Sequence, residues 1–199
     1  AEAVPEQIQA DCGMMDLMTF QGRHRDGHDV STIYFASGGF GALAGLDGAE
    51  TTPGPSNMAV VPIEVWETLT STTVERKYLL PDTGGAGASR GGLGQEVVIR
   101  NDSGHVMTVF CMANRTDFPP LGLMGGGNGK PREHRINDVT VDPKGHYELE
   151  PGDRITMIEA GGAGYGDPAL RPREAIELDL AEGFVTPEGA ARDYGFNGE

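Results

Sequence analysis

Glycine constrains this chain more than any other residue: 31 of the 199 positions are glycine, gathered in strings at 38–41, 84–94, 125–129 and 161–166. No Gly-X-Y period joins the strings, which excludes a collagen helix. They lie between apolar, β-branched runs such as 30–36 (VSTIYFA), with 13 prolines among the turns. Short strand-forming runs alternating with turn formers predict a turn-rich β architecture rather than a disordered chain.

Strand candidates occur at 14–20, 30–36, 73–80, 95–100, 106–112, 135–141, 146–149 and 154–159. The run 58–69 reads as an edge strand or as a short helix after Pro62, because proline is excluded from central strands and favoured at a first helical turn. Pro172 opens a helix reaching about Glu182, with Ile176 and Leu180 one turn apart. Thr186-Pro187-Glu188 supplies an N-cap, a proline at the first position and an acid at the positive end of a second helix, which stops near Gly195. The expected fold is mainly β, a sandwich or barrel-like domain with glycine-rich turns, and two C-terminal helices make it α+β overall. The expected organisation is a β-rich domain over 1–169 with a helical segment, 170–199, packed on it.

The net charge of −15 opposes a nucleic-acid partner, which needs a basic stripe, and opposes an anionic membrane surface. No apolar run approaches the ~20 residues of a membrane span, and no signal peptide opens the chain. Cys12 and Cys111 are far apart and outside any CxxC pattern, so two reduced thiols in a cytoplasmic protein are expected.

Several motifs fail on inspection. Gly125-Gly126-Gly127-Asn128-Gly129-Lys130 lacks the first glycine of a phosphate loop, where Met124 sits, and carries Pro131 where Ser or Thr is needed. It reads as a surface turn. The segment 162–166 lacks the dinucleotide-binding spacing. Met14, Met15 and Met18 read as core filling. His24 and His28 flank Asp26, but Gly27 interrupts them and the segment reads as a polar loop, so no metal site is expected in this chain. Glu64 and Glu67 would share a helix face and read as an acidic rim.

One ordered series does fit a family. GGFGA at 38–42 is followed by Asp47-Gly48, Asn57, Pro62-x-Glu64-x-x-Glu67, Tyr78-x-Leu80 and DTGGAGxxRGGLG at 82–94. Pro119-Pro120-x-Gly122-x-x-Gly125-Gly126, Pro151-Gly152-Asp153, GGAGYGDP at 161–168 and Ala191-Arg192-Asp193-Tyr194-Gly195 complete it. The order resembles the C-terminal region of the hydantoinase B/oxoprolinase family, which includes N-methylhydantoinase, caprolactamase and acetone carboxylase-type subunits. Thr83 replaces the family's usual serine, and Ala163 interrupts its usual three glycines. The resemblance places the family's metal-binding His and Asp residues in a longer N-terminal region, so the chain reads as a fragment or as the product of a split gene.

The resemblance implies a hydantoinase A-type large subunit, which binds ATP and phosphorylates the amide oxygen of a cyclic substrate. ATP and a divalent metal are then expected in the complex but outside this chain, with the N-terminal hydantoinase B region as a further partner. Phosphorylation turns the oxygen of a poor electrophile into a leaving group, and such a site must hold phosphate and exclude water. The 82–94 loop has suitable materials, with small residues exposing N–H groups and Arg90 as a bidentate oxyanion ligand. Asp82 either orients Arg90 or holds a metal-bound water. Asp82 and Arg90 are thus the candidate catalytic residues, and Gly84, Gly85, Gly87, Gly91, Gly92 and Asp167 the candidate substrate and phosphate loop. The expected function is part of an ATP-dependent cyclic-amide hydrolase, inactive alone. The alternatives are a component of an ATP-dependent ketone carboxylase or a non-catalytic assembly module.

Overall fold

The computed structural model describes residues 4–52 and 61–198. Asn57 of the motif series, and the part of the 58–69 run before Val61, lie outside the described residues. Among the described residues nine strands form two antiparallel sheets. The first holds β1 (Met15–Arg23), β2 (Asp29–Ser37), β5 (Met107–Cys111) and β8 (His146–Leu149), in the order β2-β1-β5-β8. The second holds β3 (Thr72–Leu79), β4 (Gln95–Asn101), β6 (Glu133–Ile136), β7 (Val139–Val141) and β9 (Arg154–Ile158), in the order β3-β4-β9-β6-β7.

The sheets bury one shared core, which makes the domain a sandwich. Met18 and Phe20 of β1, Val30 and Tyr34 of β2, and Met107 and Val109 of β5 share it with Val97 and Ile99 of β4 and Ile155 and Met157 of β9. Their alternation along each strand is the period-two pattern of a face turned inward. The 62–69 stretch resolves as helix α1 (Ile63–Thr70), packed against β3 and β2. Trp66 carries α1 into the core, edge-on to Phe20 at 5.2 Å and Tyr34 at 4.9 Å between ring centroids. Its indole N–H donates to Thr72 Oγ1 at 2.9 Å, so the one polar atom of a buried ring is satisfied.

One strand expectation needs correction. The single strand at 135–141 is a hairpin, β6 and β7, turned by Asn137 and Asp138 with φ of 47° and 65°. Two successive left-handed residues make the type I′ turn that matches strand twist, and Asn and Asp tolerate that region best after glycine. At the C-terminus, α2 (Arg173–Ala181) and α3 (Pro187–Tyr194) gather a separate small core of Ile176, Val185 and Ala190. Thr186 Oγ1 accepts from Gly189 N, and Gly195 closes α3 with φ 64°. Among the described residues no helix is long and apolar enough to cross a membrane.

The glycine strings are more than turns. Along 161–165, Gly161 N–H donates to Lys130 O, Gly162 to Gly92 O, Ala163 to Asp11 O, Gly164 to Gly127 O and Tyr165 to Ser89 O, all between 2.8 and 3.1 Å. Residues 161 and 164 therefore reach one neighbouring segment, 162 and 165 a second, and 163 a third. A period of three without internal hydrogen bonds is that of a polyproline II helix, not of a strand. Segments 10–13, 38–42, 83–94 and 120–130 surround this helix and hydrogen-bond to it. Gly125–Gly129, which read as a surface turn, is a turn only at Met124–Gly125, and the chain beyond it enters the bundle with Gly129 buried. Backbones pack so closely that a Cβ on Gly162 would lie 2.0 Å from Phe40 O, and one on Gly91 2.1 Å from Gly162 O.

Candidate functional site

The 82–94 loop is one of the bundle's outer segments. Its N–H groups are largely committed: Gly85 donates to Gly162 O, Ala88 to Gly166 O, Ser89 to Tyr165 O, Gly91 to Gly85 O and Gly92 to Phe40 O. Gly84, Gly85, Gly87, Gly91 and Gly92 are all places where a Cβ would strike backbone within 2.5 Å. None of the five has positive φ, so glycine is required here for close approach and not for conformation.

Arg90 is 3% exposed. Its guanidinium donates to Glu50 Oε1 at 2.8 Å, Asp179 Oδ1 at 3.3 Å and Gly91 O at 2.6 Å, with the Phe184 ring 5.1 Å away. Arg171 lies beside it, bidentate to Asp47 at 2.8 Å on both oxygens and bonded to Asp179 Oδ2 at 2.7 Å. Asp179 on α2 thus joins two buried arginines, and Asp47 and Glu50 complete a network that clamps the C-terminal helices to the loop. Burial raises the Asp47 carboxyl's affinity for a proton, but the hydrogen bonds and charge of Arg171 outweigh it and the pKa is lowered on balance.

Asp82 does not meet Arg90. With φ of 57°, it turns its carboxylate to the start of α3, accepting from Thr186 N at 2.9 Å and Thr186 Oγ1 at 2.6 Å. Since Thr186 Oγ1 itself accepts from Gly189 N at 3.0 Å, Asp82 holds the capping residue in place. Asp82→Ala is expected to cost about 2 kcal/mol, from the lost cap and from alanine in a left-handed conformation. Hydrogen exchange should then rise in 187–194 while β4 and β9 stay protected; equal loosening of the sheets would show that the cap is not its role. Asp167 is the exposed member of the candidate set, accepting from Ala169 N at 2.9 Å in a single 3-10 turn at Pro168–Leu170.

A second polar cluster was not named from the sequence. Asp16 of β1, His134 of β6, Glu159 after β9 and Arg132 before β6 meet at one end of the sandwich, none more than 3% exposed. Asp16 Oδ2 lies 2.6 Å from His134 Nε2, and Arg132 Nε donates to Glu159 Oε2 at 2.8 Å with Nη2 paired to the same oxygen at 2.7 Å. Arg132 also donates to the carbonyls of Asn114, Gly13 and Met14, at 3.0 to 3.1 Å. Burial pushes the Glu159 carboxyl up to about 7, against the pull of Arg132. Burial also works on Asp16, but its hydrogen bond to His134 and the charge of Arg132 win, and its pKa is lowered. The donors of Asp16, His134 and Glu159 lie within 4.8 Å of one another. A guanidinium already fills the cationic position between the two acids, so the set fits an ion-paired network and not a resident metal. A signal was available: Asp16, Met18 and Phe20 share one face of a strand, which puts a carboxylate inside.

The family model for hydantoinase B/oxoprolinase matches residues 1–168. The beta subunit of caprolactamase from Pseudomonas jessenii is 30% identical over 98% of this chain and 36% of its own length. A putative D-/L-hydantoinase of Pseudomonas sp. (strain NS671) has a B subunit that is 27% identical, over 98% of this chain and 34% of its own. The crystal structure of ATP-dependent caprolactamase from Pseudomonas jessenii superimposes with a TM-score of 0.85 at 25% identity, over 98% of this chain and 36% of that one. The chain spans about a third of the length of these relatives. The ordered glycine motifs, the sandwich they are threaded through and the match of the family model agree: the chain belongs to the hydantoinase B/oxoprolinase family.

Proposed function

We propose that this chain is the C-terminal part of a B-type subunit in an ATP-dependent hydrolase of cyclic amides, forming one wall of an active site completed by other chain segments. The observation that carries the reading is the likeness to the beta subunit of caprolactamase, 30% identical over 98% of this chain and 36% of that subunit. In this reading a large A-type partner binds ATP with its divalent metal, phosphorylates the amide oxygen and passes an activated ring to the shared site. The wall is rigid because its glycine segments are cross-linked by backbone hydrogen bonds, and rigidity keeps a reacting group in place at no cost during reaction.

Within the wall, Arg90 and Asp82 act as positioning residues, since their polar atoms are engaged inside the chain. In the same reading Asp167, exposed at the end of the 161–166 helix, is the acid this wall supplies to the shared site. The test is reconstitution of the full subunit with an ATP-binding large partner, scoring ADP release and ring opening over lactams, hydantoins and 5-oxoproline. ATP turnover coupled to ring opening is expected, and none from this chain alone. Bicarbonate-dependent consumption of a ketone instead would replace the hydrolase reading with a carboxylase. Asp167→Ser keeps the local cap and is expected to lower kcat about tenfold or more with the melting temperature unchanged. Undiminished kcat would leave this chain as an assembly module.

A further inference from the structure

The geometry points to a transition-metal site, of Zn2+ type, on the turn between β1 and β2, with His24 Nδ1, His28 Nδ1 and Asp26 Oδ1 as ligands. Read as sequence, the turn is a polar loop interrupted by glycine. In the fold, Gly27 is what brings the histidines together: its φ of +94° closes the turn, with His24 N donating to His28 O and Gly27 N to His24 O, each at 2.9 Å. The imidazoles then stack, ring centroids 4.4 Å apart and planes 16° from parallel. Both Nδ1 atoms turn to one carboxylate oxygen, His24 at 2.8 Å and His28 at 2.6 Å from Asp26 Oδ1.

His24 is oriented for this role by a bond on its other side. Its Nε2 lies 3.1 Å from Thr68 O on α1, and a backbone carbonyl can only accept. With Nε2–H given to that carbonyl, Nδ1 is the nitrogen left to face Asp26 and a shared cation. A metal-bound histidine is held in this way, its far N–H given to a carbonyl that fixes ring and tautomer. Two imidazoles and a carboxylate are the donor set of late first-row divalent ions, and without a thiolate they favour Zn2+ over softer ions. Tetrahedral Zn2+ needs its donors about 3.3 Å apart, so each imidazole backs away from Asp26 Oδ1 by about half an ångström, a side-chain adjustment on an exposed turn. The fourth position is left to water or to an outside ligand. A cleft of about 420 Å³ adjoins, lined by His24, Arg25, Glu64, Glu67 and Thr68. Arg25 Nε is turned to Ser71 Oγ at 3.1 Å, and the two glutamates leave the cleft anionic on balance.

The buried Asp16–His134–Glu159 set has similar donors but holds Arg132 among them, whereas no guanidinium bonds to Asp26 among the described contacts. The turn is therefore where a cation can enter. The test is equilibrium dialysis of the metal-stripped full subunit against Zn2+ in excess Mg2+, with bound zinc read by elemental analysis and by the shift in melting temperature. One equivalent more than in the His24→Ala/His28→Ala double variant is expected, with the melting temperature rising as Zn2+ is added. His28→Ala and Asp26→Asn, both on the exposed side of the turn, should each weaken binding about tenfold or more while the metal-free melting temperature stays put. Cys12→Ser should leave binding unchanged. Equal zinc content in the unmodified subunit and the His24→Ala/His28→Ala double variant would overturn the assignment.

Discussion

Gly162→Ala is expected to cost about 3 kcal/mol or more and to leave little folded protein at physiological temperature. The added methyl would lie 2.0 Å from Phe40 O and 2.4 Å from Phe40 C, atoms of a backbone that cannot rotate aside. Phe40 O is also the acceptor for Gly92 N at 2.8 Å, so moving it breaks a bond to a third segment. A side-chain obstruction would relax; this one has to separate hydrogen-bonded backbones. Two controls separate crowding from conformation. At Gly127 the nearest atom to a new Cβ is 3.2 Å away, and alanine there should cost about 1 kcal/mol or less. At Gly104 nothing lies within 4 Å but φ is +78°, so alanine pays only for the left-handed backbone, about 1 kcal/mol. Urea unfolding of the three variants, compared by midpoint, gives the order. If Gly162→Ala unfolds at the same urea concentration as Gly127→Ala, close backbone packing is not what the glycines are for.

Alanine is already present one residue along. Ala163 is fully buried, yet its Cβ is accommodated: its N–H donates to Asp11 O and its carbonyl accepts from Ala42 N, while the obstructions at Gly162 and Gly164 come from Phe40 O and Ala86 O. This explains how much of the fold the sequence displays. Strands were legible because their signal is local: 15–23 and 29–37 carry alternating apolar residues and β-branched side chains that any pleated, half-buried surface selects. The bundle was not, because its residues are chosen by what they touch from distant segments, and glycine strings look alike whether they turn or stack. The β6–β7 hairpin was missed although Asn137-Asp138 spells its turn, since the flanking runs are short enough to read as one strand. At the candidate site, the sequence brought Asp82 and Arg90 forward as a pair through their common loop. The fold gives each a separate partner on the C-terminal helices, Thr186 and Asp179, which lie 104 and 89 residues away in the chain. Charge partners at that separation leave no local pattern.

The buried Arg132 network yields the other large effect. Arg132→Met removes the cation that offsets Glu159 and Asp16, leaving two carboxylates inside a sandwich, and is expected to cost about 3–5 kcal/mol at neutral pH. The native chain already shows how the loss depends on pH. Glu159 has its pKa raised from 4.5 to about 7 by burial. Between those values the unfolded chain has released the proton and the folded chain keeps it, so stability falls as pH rises through the window and levels off above it. At about 1.4 kcal/mol per unit, this single group tilts stability by a few kcal/mol at most. Asp16 works the other way and lower down: its depressed pKa gives stability that is present above its unfolded value and is lost as acid protonates it in the fold. Together they place the optimum of this cluster near the lower end of the Glu159 window. Urea midpoints measured between about pH 5 and pH 8 should therefore decline, and Glu159→Gln should flatten the decline. In Arg132→Met the deficit should shrink toward the acid end, because protonating Glu159 removes the charge that the arginine was there to offset. A deficit that stays constant over the range would mean that Arg132 contributes by packing and by its bonds to the carbonyls of Gly13, Met14 and Asn114 instead.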